Sequence, residues 1–208
     1  MKRTTWYQSL KSTNNTAREH LDEYDTLSVI ACVEQIKGRG QGSHTWYATP
    51  GKNLTFTIIF KPQDLEASEA LYLTRITTLS LLAYLDAKGV KARIKWPNDI
   101  WVDDRKICGI LIENILSGPM IHDSIIGIGL NINEKDWPED LPNPVSLSEL
   151  TGKEYDIRAE LDIFCKEFDR HAAMLDTESG REYLCAEFDK NVFRLTAEED
   201  AEVPPRNF

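Results

Sequence analysis

The sequence lacks the features that typify membrane proteins, disulfide scaffolds and nucleic-acid-binding proteins. Its four cysteines show no CxxC spacing and its four histidines are scattered, so neither a disulfide framework nor a zinc site is indicated. Acidic residues outnumber basic ones, which excludes the basic surface that non-specific nucleic-acid binding requires. The longest apolar-rich segment, residues 71–85, is interrupted by Arg75 and does not have the pattern of a membrane span. Without a signal-peptide pattern at the N-terminus, a cytoplasmic location is expected.

The hydrophobic pattern predicts an α/β domain of mixed sheet and helices. The predicted strands are residues 27–33, 54–60, 92–96, 100–102, 107–116 and 121–133, the second of them with one face inward. The predicted helices are residues 68–88 and 156–176, and a short helix opened by a capping box of Thr16 and Glu19. Because the pattern weakens after residue 180, we predict one domain over residues 1–180 and a short tail over residues 181–208.

A glycine-rich loop begins at Gly38 and is the first candidate binding segment. Gly38 and Gly40 let the backbone approach a ligand closely, and Arg39 can form charge-assisted hydrogen bonds to a phosphate. The same residues are also typical of a flexible turn with an exposed arginine. Neither the GxGxxG nor the GxxxxGK[ST] spacing is present, so dinucleotide-fold and P-loop sites are excluded.

A basic cluster in an acidic chain forms the second candidate segment. Lys95 lies in a predicted strand, Asn98 and Asp99 follow it, and the turn at residues 103–105 brings Lys106 back toward it. Taken singly, Lys95 could extend to solvent, the Pro-Asn-Asp run could form a plain turn, and Lys106 could be a solvated charge. Their convergence on one hairpin favours a site for anionic groups.

Two further segments carry polar groups or glycines that suit a pocket. Ser-Thr-Asn at residues 12–14 offers short hydrogen-bonding groups, although polar residues are also common where a helix begins. Gly-Ile-Gly-Leu-Asn at residues 127–131 is typical of a strand that approaches a ligand, or of a close contact between a strand and a helix.

Together these segments resemble the biotin protein ligase family. The matching segments are Ser-Thr-Asn at 12–14, residues 35–40 with Trp46, Pro-Gly-Lys-Asn-Leu at 50–54, Lys-Trp-Pro-Asn-Asp at 95–99, Lys106, Gly-Ile-Leu-Ile-Glu at 109–113 and Gly-Ile-Gly-Leu-Asn at 127–131. The resemblance implies a fold similar to class II aminoacyl-tRNA synthetases, with a mixed, largely antiparallel sheet flanked by helices. It implies that residues 1–180 form the catalytic domain.

The resemblance also implies an activity. Family members join the carboxylate of biotin to the α-phosphate of ATP, supplied with Mg²⁺, and hold the resulting biotinyl-adenylate. A lysine amine of a biotin carboxyl carrier protein then attacks the adenylate and releases AMP. The expected partner is therefore a carrier domain of acetyl-CoA carboxylase or a related carboxylase, and no metal site built from protein side chains is expected.

The resemblance assigns roles to individual residues. Lys106 would contact the biotin carboxylate and the adenylate phosphate, with Lys95 as a second cation. Arg39 and the amides of Gly38 and Gly40 would close over the ligand. The biotin head would be bound by Ser12, Thr13, Asn14 and Gln35, with Gly109 and Leu111 on the pocket wall. The nucleotide would be bound by Trp46, Asn98, Gly129 and Asn131, and Asp99 would accept the proton of the incoming amine.

Three departures from the family pattern lead to further expectations. Many relatives carry additional arginines in the glycine loop, where this chain has Gln41, Gly42, Ser43 and His44, so looser retention of the adenylate is expected. The match starts almost at residue 1, so no N-terminal DNA-binding domain is expected. The small C-terminal β-barrel of many relatives is expected to be absent or truncated.

An exposed sheet edge would allow two chains to pair as a homodimer.

Two other functions remain open. A lipoate or octanoate ligase or transferase shares the implied fold and the lysine-centred chemistry. A non-catalytic biotin-binding or interaction module is the alternative outside enzymes, suggested by the altered loop and the short tail.

Overall fold

An eight-stranded mixed sheet forms the framework of the protein. The computed structural model describes residues 4–40, 42 and 45–194. The strands are β1 Thr4–Leu10, β2 Ser28–Gln35, β3 Leu54–Phe60, β4 Arg93–Lys95, β5 Asp99–Val102, β6 Arg105–Ser117, β7 Met120–Leu130 and β8 Val192–Phe193, in the order β1-β2-β3-β7-β6-β5-β4-β8. The β1–β2 and β4–β8 pairs are parallel and the others are antiparallel. The expectation of a mixed, largely antiparallel sheet is confirmed.

Helices cover both faces of this sheet. They are α1 Thr13–Glu19, α2 Leu71–Asp86, α3 Leu147–Thr151, α4 Ile157–Ala172 and α5 Glu178–Asn191. The main core lies between the sheet and the α2, α4 and α5 side, where Phe56 of β3 meets Phe164 of α4 edge-to-face at 5.4 Å between ring centres. The hydroxyl of Tyr84 in α2 donates to buried Glu160 in α4 at 2.7 Å, which ties the two helices together.

Helix α1 covers part of the other face. Ala17 of α1 forms a small second core with Ile30, Ile59 and Ile125 of three neighbouring strands. All seven residues of β3 are therefore buried, and the prediction that this strand has only one face inward is wrong. The helix also begins earlier than predicted, because Ser12 rather than Thr16 is its N-cap residue.

The remaining predicted elements occur with shifted ends. The helix predicted at 68–88 is α2, which starts at Leu71 after a short 3₁₀ turn, and Gly89 ends it with a left-handed φ of 78°. The strand predicted to reach residue 133 ends at Leu130. The pattern did not predict β1, α3, α5 or β8. No helix among the described residues is long and apolar enough to cross a membrane.

The C-terminal part continues the fold beyond residue 180. Helix α5 runs across the boundary drawn at 180, and Leu184 and Phe188 bury it against the core. Strand β8 then pairs with β4. Residues 195–208 lie outside the described part of the chain, as do Gln41, Ser43 and His44, so the expectations for the rest of the tail and for those loop positions stay predictions.

Candidate active site

A cavity of about 390 Å³ opens on the same face of the sheet as α1 and next to it. Every residue proposed for the site from the sequence lines this cavity except Gly38, whose carbonyl accepts a hydrogen bond from the Trp46 amide at 3.1 Å. The lining residues among them are Ser12, Thr13, Asn14, Gln35, Arg39, Gly40, Trp46, Lys95, Asn98, Asp99, Lys106, Gly109, Leu111, Gly129 and Asn131. The structure thus brings residues from distant parts of the chain to one place.

The floor of the cavity is a row of residues that are paired directly across neighbouring strands. Lys95 of β4 pairs with Asp99 of β5, Asp99 with Gly109 of β6, and Gly109 with Gly129 of β7. The row continues to Thr55 of β3. Residues opposite one another in a ladder share one face of the sheet, so this register alone places a lysine, a carboxylate and two glycines side by side.

A β-bulge places Lys106 beside this row. In a regular β6, Lys106 would face away from Gly109, because side chains alternate between the two faces. The β5–β6 register shifts between Ile100 and Trp101, so that Trp101 pairs with Lys106. Bulges commonly re-aim a side chain in this way. The Lys106 ammonium consequently lies 2.7 Å from the Asp99 carboxylate, in an ion pair whose carboxylate is buried and whose lysine side chain is 27% exposed.

Lys95 is a second cation of the cavity. It is 4% exposed, and its ammonium lies 4.9 Å from the centre of the Trp101 ring. A lysine placed so deeply is held by its surroundings rather than extending to solvent, which removes one of the alternatives left open by the sequence. The aromatic face stabilises the charge without neutralising it.

At the α1 end, the cavity is bounded by uncharged hydrogen-bonding groups. Gln35 accepts a hydrogen bond from the amide of Thr13 at 2.9 Å. The buried hydroxyl of Thr57 lies 2.8 Å from the Thr13 hydroxyl and 2.6 Å from the Asn14 carboxamide oxygen. Asn14 also donates to Glu113 at 2.9 Å. This preorganised set suits a neutral polar ligand group such as a urea.

Trp46 packs over the glycines of the floor. A Cβ atom on Gly129 would lie 2.2 Å from the indole, and one on Gly109 would lie 2.9 Å from it. The two strands therefore need glycine where the ring rests on them. Within the part of the chain that the structure describes, the buried indole N–H of Trp46 has no hydrogen-bond partner. The Trp46 residue lines the cavity.

An ion-pair cluster fixes the glycine loop to the sheet. Glu113 of β6 pairs with Arg39 at 3.1 Å and with Arg18 of α1 at 3.0 Å, and Arg39 also donates to Asn15 at 2.8 Å. Burial acts to raise the pKa of Glu113, but the Asn14 hydrogen bond and the two arginines outweigh it and lower the pKa. The predicted phosphate-binding arginine is thus held at the rim of the cavity by a carboxylate.

Several lining residues were not proposed from the sequence. They are Thr45, Tyr47, Thr55, Trp96, Pro97, Trp101, Ile110, Gly127, Ile128, Arg194, and Trp137 with residues 141–144. The carbonyl of Asn143 accepts from the Lys106 amide at 2.8 Å, so this last loop also positions the lysine backbone. Trp96 belongs to the Lys-Trp-Pro-Asn-Asp motif, whereas the proline-rich 137–144 loop and Arg194 carried no signal of a binding site in the sequence.

Thiol chemistry is not a property of this site. Burial raises the pKa of the nearby Cys108 thiol, and the neighbouring Lys106 offsets only part of that rise. Among the described residues there is no group of three or more His, Cys, Asp or Glu side chains that could hold a metal ion. Among the described residues, the cavity presents the ammonium groups of Lys95 and Lys106, the carboxylate of Asp99 and several amide groups to a ligand.

Comparison with solved structures defines the class of protein. The fold matches an R40G mutant of a biotin protein ligase from Aquifex aeolicus, solved with biotin, with a TM-score of 0.75 and 26% identity over 92% of this chain and 78% of that one. The structure of the Aquifex aeolicus ligase with biotin and ATP gives a TM-score of 0.79 at 24% identity, covering 93% and 79% of the two chains. The fold is that of biotin protein ligase catalytic domains.

Sequence comparison identifies the family. Residues 6–131 match the Biotin/lipoate A/B protein ligase family, and the chain belongs to this family. It is 34% identical to a biotin--[acetyl-CoA-carboxylase] ligase from Paracoccus denitrificans over 181 residues, which are 81% of this chain and 73% of that protein. It is 30% identical to the bifunctional ligase/repressor BirA of Bacillus subtilis over 156 residues, 73% of this chain. The match spans 48% of that relative, about half its length.

Proposed function

We propose that this protein attaches biotin to a lysine of a biotin carboxyl carrier protein, using ATP and a biotinyl-adenylate intermediate. The observation that carries the proposal is the Lys106–Asp99 ion pair, 2.7 Å apart, in a cavity whose α1 end presents the uncharged hydrogen-bonding groups of Thr13, Asn14 and Gln35. The named relatives support the choice of biotin, since they are ligases of biotin. The uncharged groups would bind the biotin head, and its carboxylate would reach the lysine.

In the first step, the biotin carboxylate oxygen bonds to the α-phosphorus of ATP while the bond to the departing pyrophosphate breaks. Two anions must approach each other, so fixed cations in a partly dehydrated cavity lower the barrier. Lys106 would contact both anions, and Lys95 on β4, next to the strand of Asp99, would add a second positive charge. The Trp46 ring would cover the ligand from the loop side and exclude water.

In the second step, the carrier lysine amine attacks the acyl carbon, the bond to the AMP oxygen breaks, and the amine loses a proton. Asp99 is the carboxylate that lines the cavity among the described residues, which makes it the proposed acceptor for that proton. Lys106 would at the same time stabilise the phosphate of the departing AMP.

Mg²⁺ would enter as part of the nucleotide substrate. Magnesium commonly binds through substrate phosphates and only one or two protein oxygens. Asp99 supplies such an oxygen, and the buried Asn131 carboxamide oxygen in the same cavity has no hydrogen-bond partner among the described residues. When bound, the ion would neutralise phosphate charge. These residues fit that role without forming a metal site of their own.

Transfer to a carrier domain tests the function directly. The purified protein is incubated with MgATP, biotin and a biotin carboxyl carrier domain, and the intact mass of the carrier is measured. The expected result is one added biotinyl group, absent without ATP and absent on a carrier whose acceptor lysine is replaced by arginine. Parallel reactions contain lipoate or octanoate and a lipoyl carrier domain.

Each alternative gives a different result in this assay. Transfer of lipoate or octanoate without transfer of biotin would replace the proposal by the lipoate-ligase alternative. Biotin binding without any transfer would favour a non-catalytic module. Transfer of biotin alone supports the proposal.

A further inference from the structure

Strand β8 brings an additional arginine, Arg194, to the edge of the cavity. The Trp96 amide donates to the Phe193 carbonyl at 2.9 Å, which fixes the end of β8 against the Lys-Trp-Pro-Asn-Asp segment. The guanidinium carbon of Arg194 lies over the Trp96 ring, 4.9 Å from its centre, and Arg194 lines the cavity. A contact with an aromatic ring leaves the charge of the guanidinium in place, and its N–H groups can donate to an anion.

The charges of the cavity follow the order of the strands. The uncharged groups at Gln35 and Thr57 lie on β2 and β3, where the cation at the rim, Arg39, is paired with Glu113. The Lys106–Asp99 pair lies on β6 and β5, Lys95 lies on β4, and Arg194 follows β8. From β2 to β8 there are six strand spacings of about 4.8 Å, or about 29 Å across the sheet. Arg194 is therefore at the opposite end from the uncharged groups.

The geometry of phosphoryl transfer assigns a substrate group to that end. In adenylate formation the attacking and departing oxygens lie roughly in line on opposite sides of the α-phosphorus. A biotin head at the α1 end and an α-phosphate at Lys106 direct the departing pyrophosphate away from α1. That direction leads across β5 and β4, past Lys95, to Arg194.

The charge environment of Arg194 agrees with this assignment. Within the described residues, no carboxylate pairs with Arg194, whereas Arg39 is paired with Glu113 and Lys106 with Asp99. Pyrophosphate carries the densest negative charge of any group in the reaction. A planar guanidinium suits its oxygens because two N–H groups can donate to them together.

We propose that Arg194 binds the two distal phosphates of ATP, and hence the departing pyrophosphate. The proposal rests on the proposed adenylate-forming function. Strand β8 would then have two roles, because it covers the β4 edge of the sheet and supplies a phosphate-binding residue to the cavity.

Comparison of ATP with AMP isolates the distal phosphates, since the two nucleotides share the adenosine and the α-phosphate. Calorimetric titrations with MgATP, magnesium pyrophosphate and AMP are made on the wild type, Arg194→Ala and Arg194→Lys. Arg93→Ala is the matched control, because the Arg93 guanidinium also lies over a ring of this edge, 4.6 Å from the centre of Phe193, but does not line the cavity.

In Arg194→Ala, we expect affinity for MgATP and pyrophosphate to fall by about 10- to 100-fold, the range for losing a charged hydrogen bond. Affinity for AMP stays at the wild-type value. Arg194→Lys keeps the charge but loses the paired N–H donors of the guanidinium. Its affinities for MgATP and pyrophosphate are therefore expected to lie between those of the wild type and Arg194→Ala. Arg93→Ala matches the wild type for all three ligands.

Three results would overturn the proposal: equal losses for ATP and AMP in Arg194→Ala, no loss for either, or a wild type that binds neither ATP nor pyrophosphate. Biotin transfer to the carrier is measured on the same preparations. A wild type that transfers biotin while Arg194→Ala binds pyrophosphate normally would remove the role of Arg194 and leave the function standing. If Arg194→Ala selectively loses pyrophosphate binding but the wild type transfers no biotin, the role of Arg194 stands and the proposed function is removed.

Discussion

Two glycines of β7 show how single residues shape the cavity. A Cβ atom on Gly127 would lie 2.3 Å from the Asn14 carboxamide oxygen, and one on Gly129 would lie 2.2 Å from the Trp46 indole. Asn14 is held by several buried hydrogen bonds, whereas Trp46 belongs to a loop. An added methyl group therefore meets a fixed side chain, Asn14, at position 127 and a displaceable one, Trp46, at position 129.

We expect Gly127→Ala and Gly129→Ala to affect different properties. Gly127→Ala disrupts the Asn14 network and lowers the free energy of unfolding by about 1–3 kcal/mol, as overpacking does. Gly129→Ala displaces Trp46, so it costs less stability and changes the tryptophan fluorescence. Denaturant unfolding and emission spectra measure the two effects. Equal destabilisation by both variants would contradict the contrast between a fixed and a displaceable neighbour.

Residue types at the site were more predictable than their contacts. The resemblance selected Lys95, Asp99 and Lys106, and the structure brings them to one cavity. The bulge that turns Lys106 toward Asp99 depends on the register of two strands, which the local pattern does not encode. The pairing of Arg39 with Glu113 was missed for the same reason, because the two residues meet only after the sheet has formed.

At the scale of elements, Glu113 connects three separate pieces of structure. It lies on β6, pairs with Arg18 of α1, and pairs with Arg39 of the glycine loop. The loop also contacts the floor of the cavity through Trp46, which packs on Gly109 and Gly129. The carboxylate thus ties the arginine end of the loop to the sheet and to α1.

Replacement of Glu113 by Gln is expected to loosen the glycine loop. The neutral amide pairs more weakly with both arginines, so amide hydrogen exchange should speed up in the loop and in α1, while the core strands exchange as before. Glu69→Gln is the control, because Glu69 also pairs with an arginine, Arg181 at 2.8 Å, away from the cavity. Unchanged exchange in the loop of Glu113→Gln would show that the ion pairs do not hold it.

Elements with long apolar runs were predicted well and short or polar ones were not. The β3 strand was predicted at its observed bounds, because Leu54–Phe60 is almost continuously apolar or β-branched. Helix α5 was missed, since only Leu184 and Phe188 are buried along it. Strand β8 has two residues and forms only because β4 offers it an edge, so its existence follows from tertiary structure.

The whole molecule combines an acidic composition with buried groups that resist protonation. His171 in α4 is buried between Ser80 and the carbonyl of Glu167, at 3.1 and 2.9 Å from its Nδ1. Burial is the main cause that lowers its pKa from the usual 6.5, and the neighbouring Arg170 adds to the effect. The pKa of Glu113 is also lowered, from 4.5. Both groups bind protons more readily in the unfolded chain.

Stability is therefore expected to fall on acidification. The contribution of His171 is complete above pH 6.5 and declines below it, and that of Glu113 declines as the pH falls below 4.5. His171→Gln should remove the loss of stability that begins below pH 6.5, whereas His20→Gln, at an exposed position, should leave that loss in place. Urea unfolding between pH 7 and 5 measures the slopes. Identical slopes in the wild type and His171→Gln would contradict the assignment to His171.

The central claim is that Lys106 serves a site that joins a biotin carboxylate to the α-phosphate of ATP. Exchange of labelled pyrophosphate into ATP tests it most directly, because this exchange requires only the first step. We predict exchange that depends on biotin, reduced about 10²- to 10³-fold in Lys106→Met, as for loss of one electrostatic donor, and unchanged in the exposed-lysine control Lys91→Met. Biotin-independent exchange, no exchange by the wild type, or full exchange by a folded Lys106→Met would contradict the account.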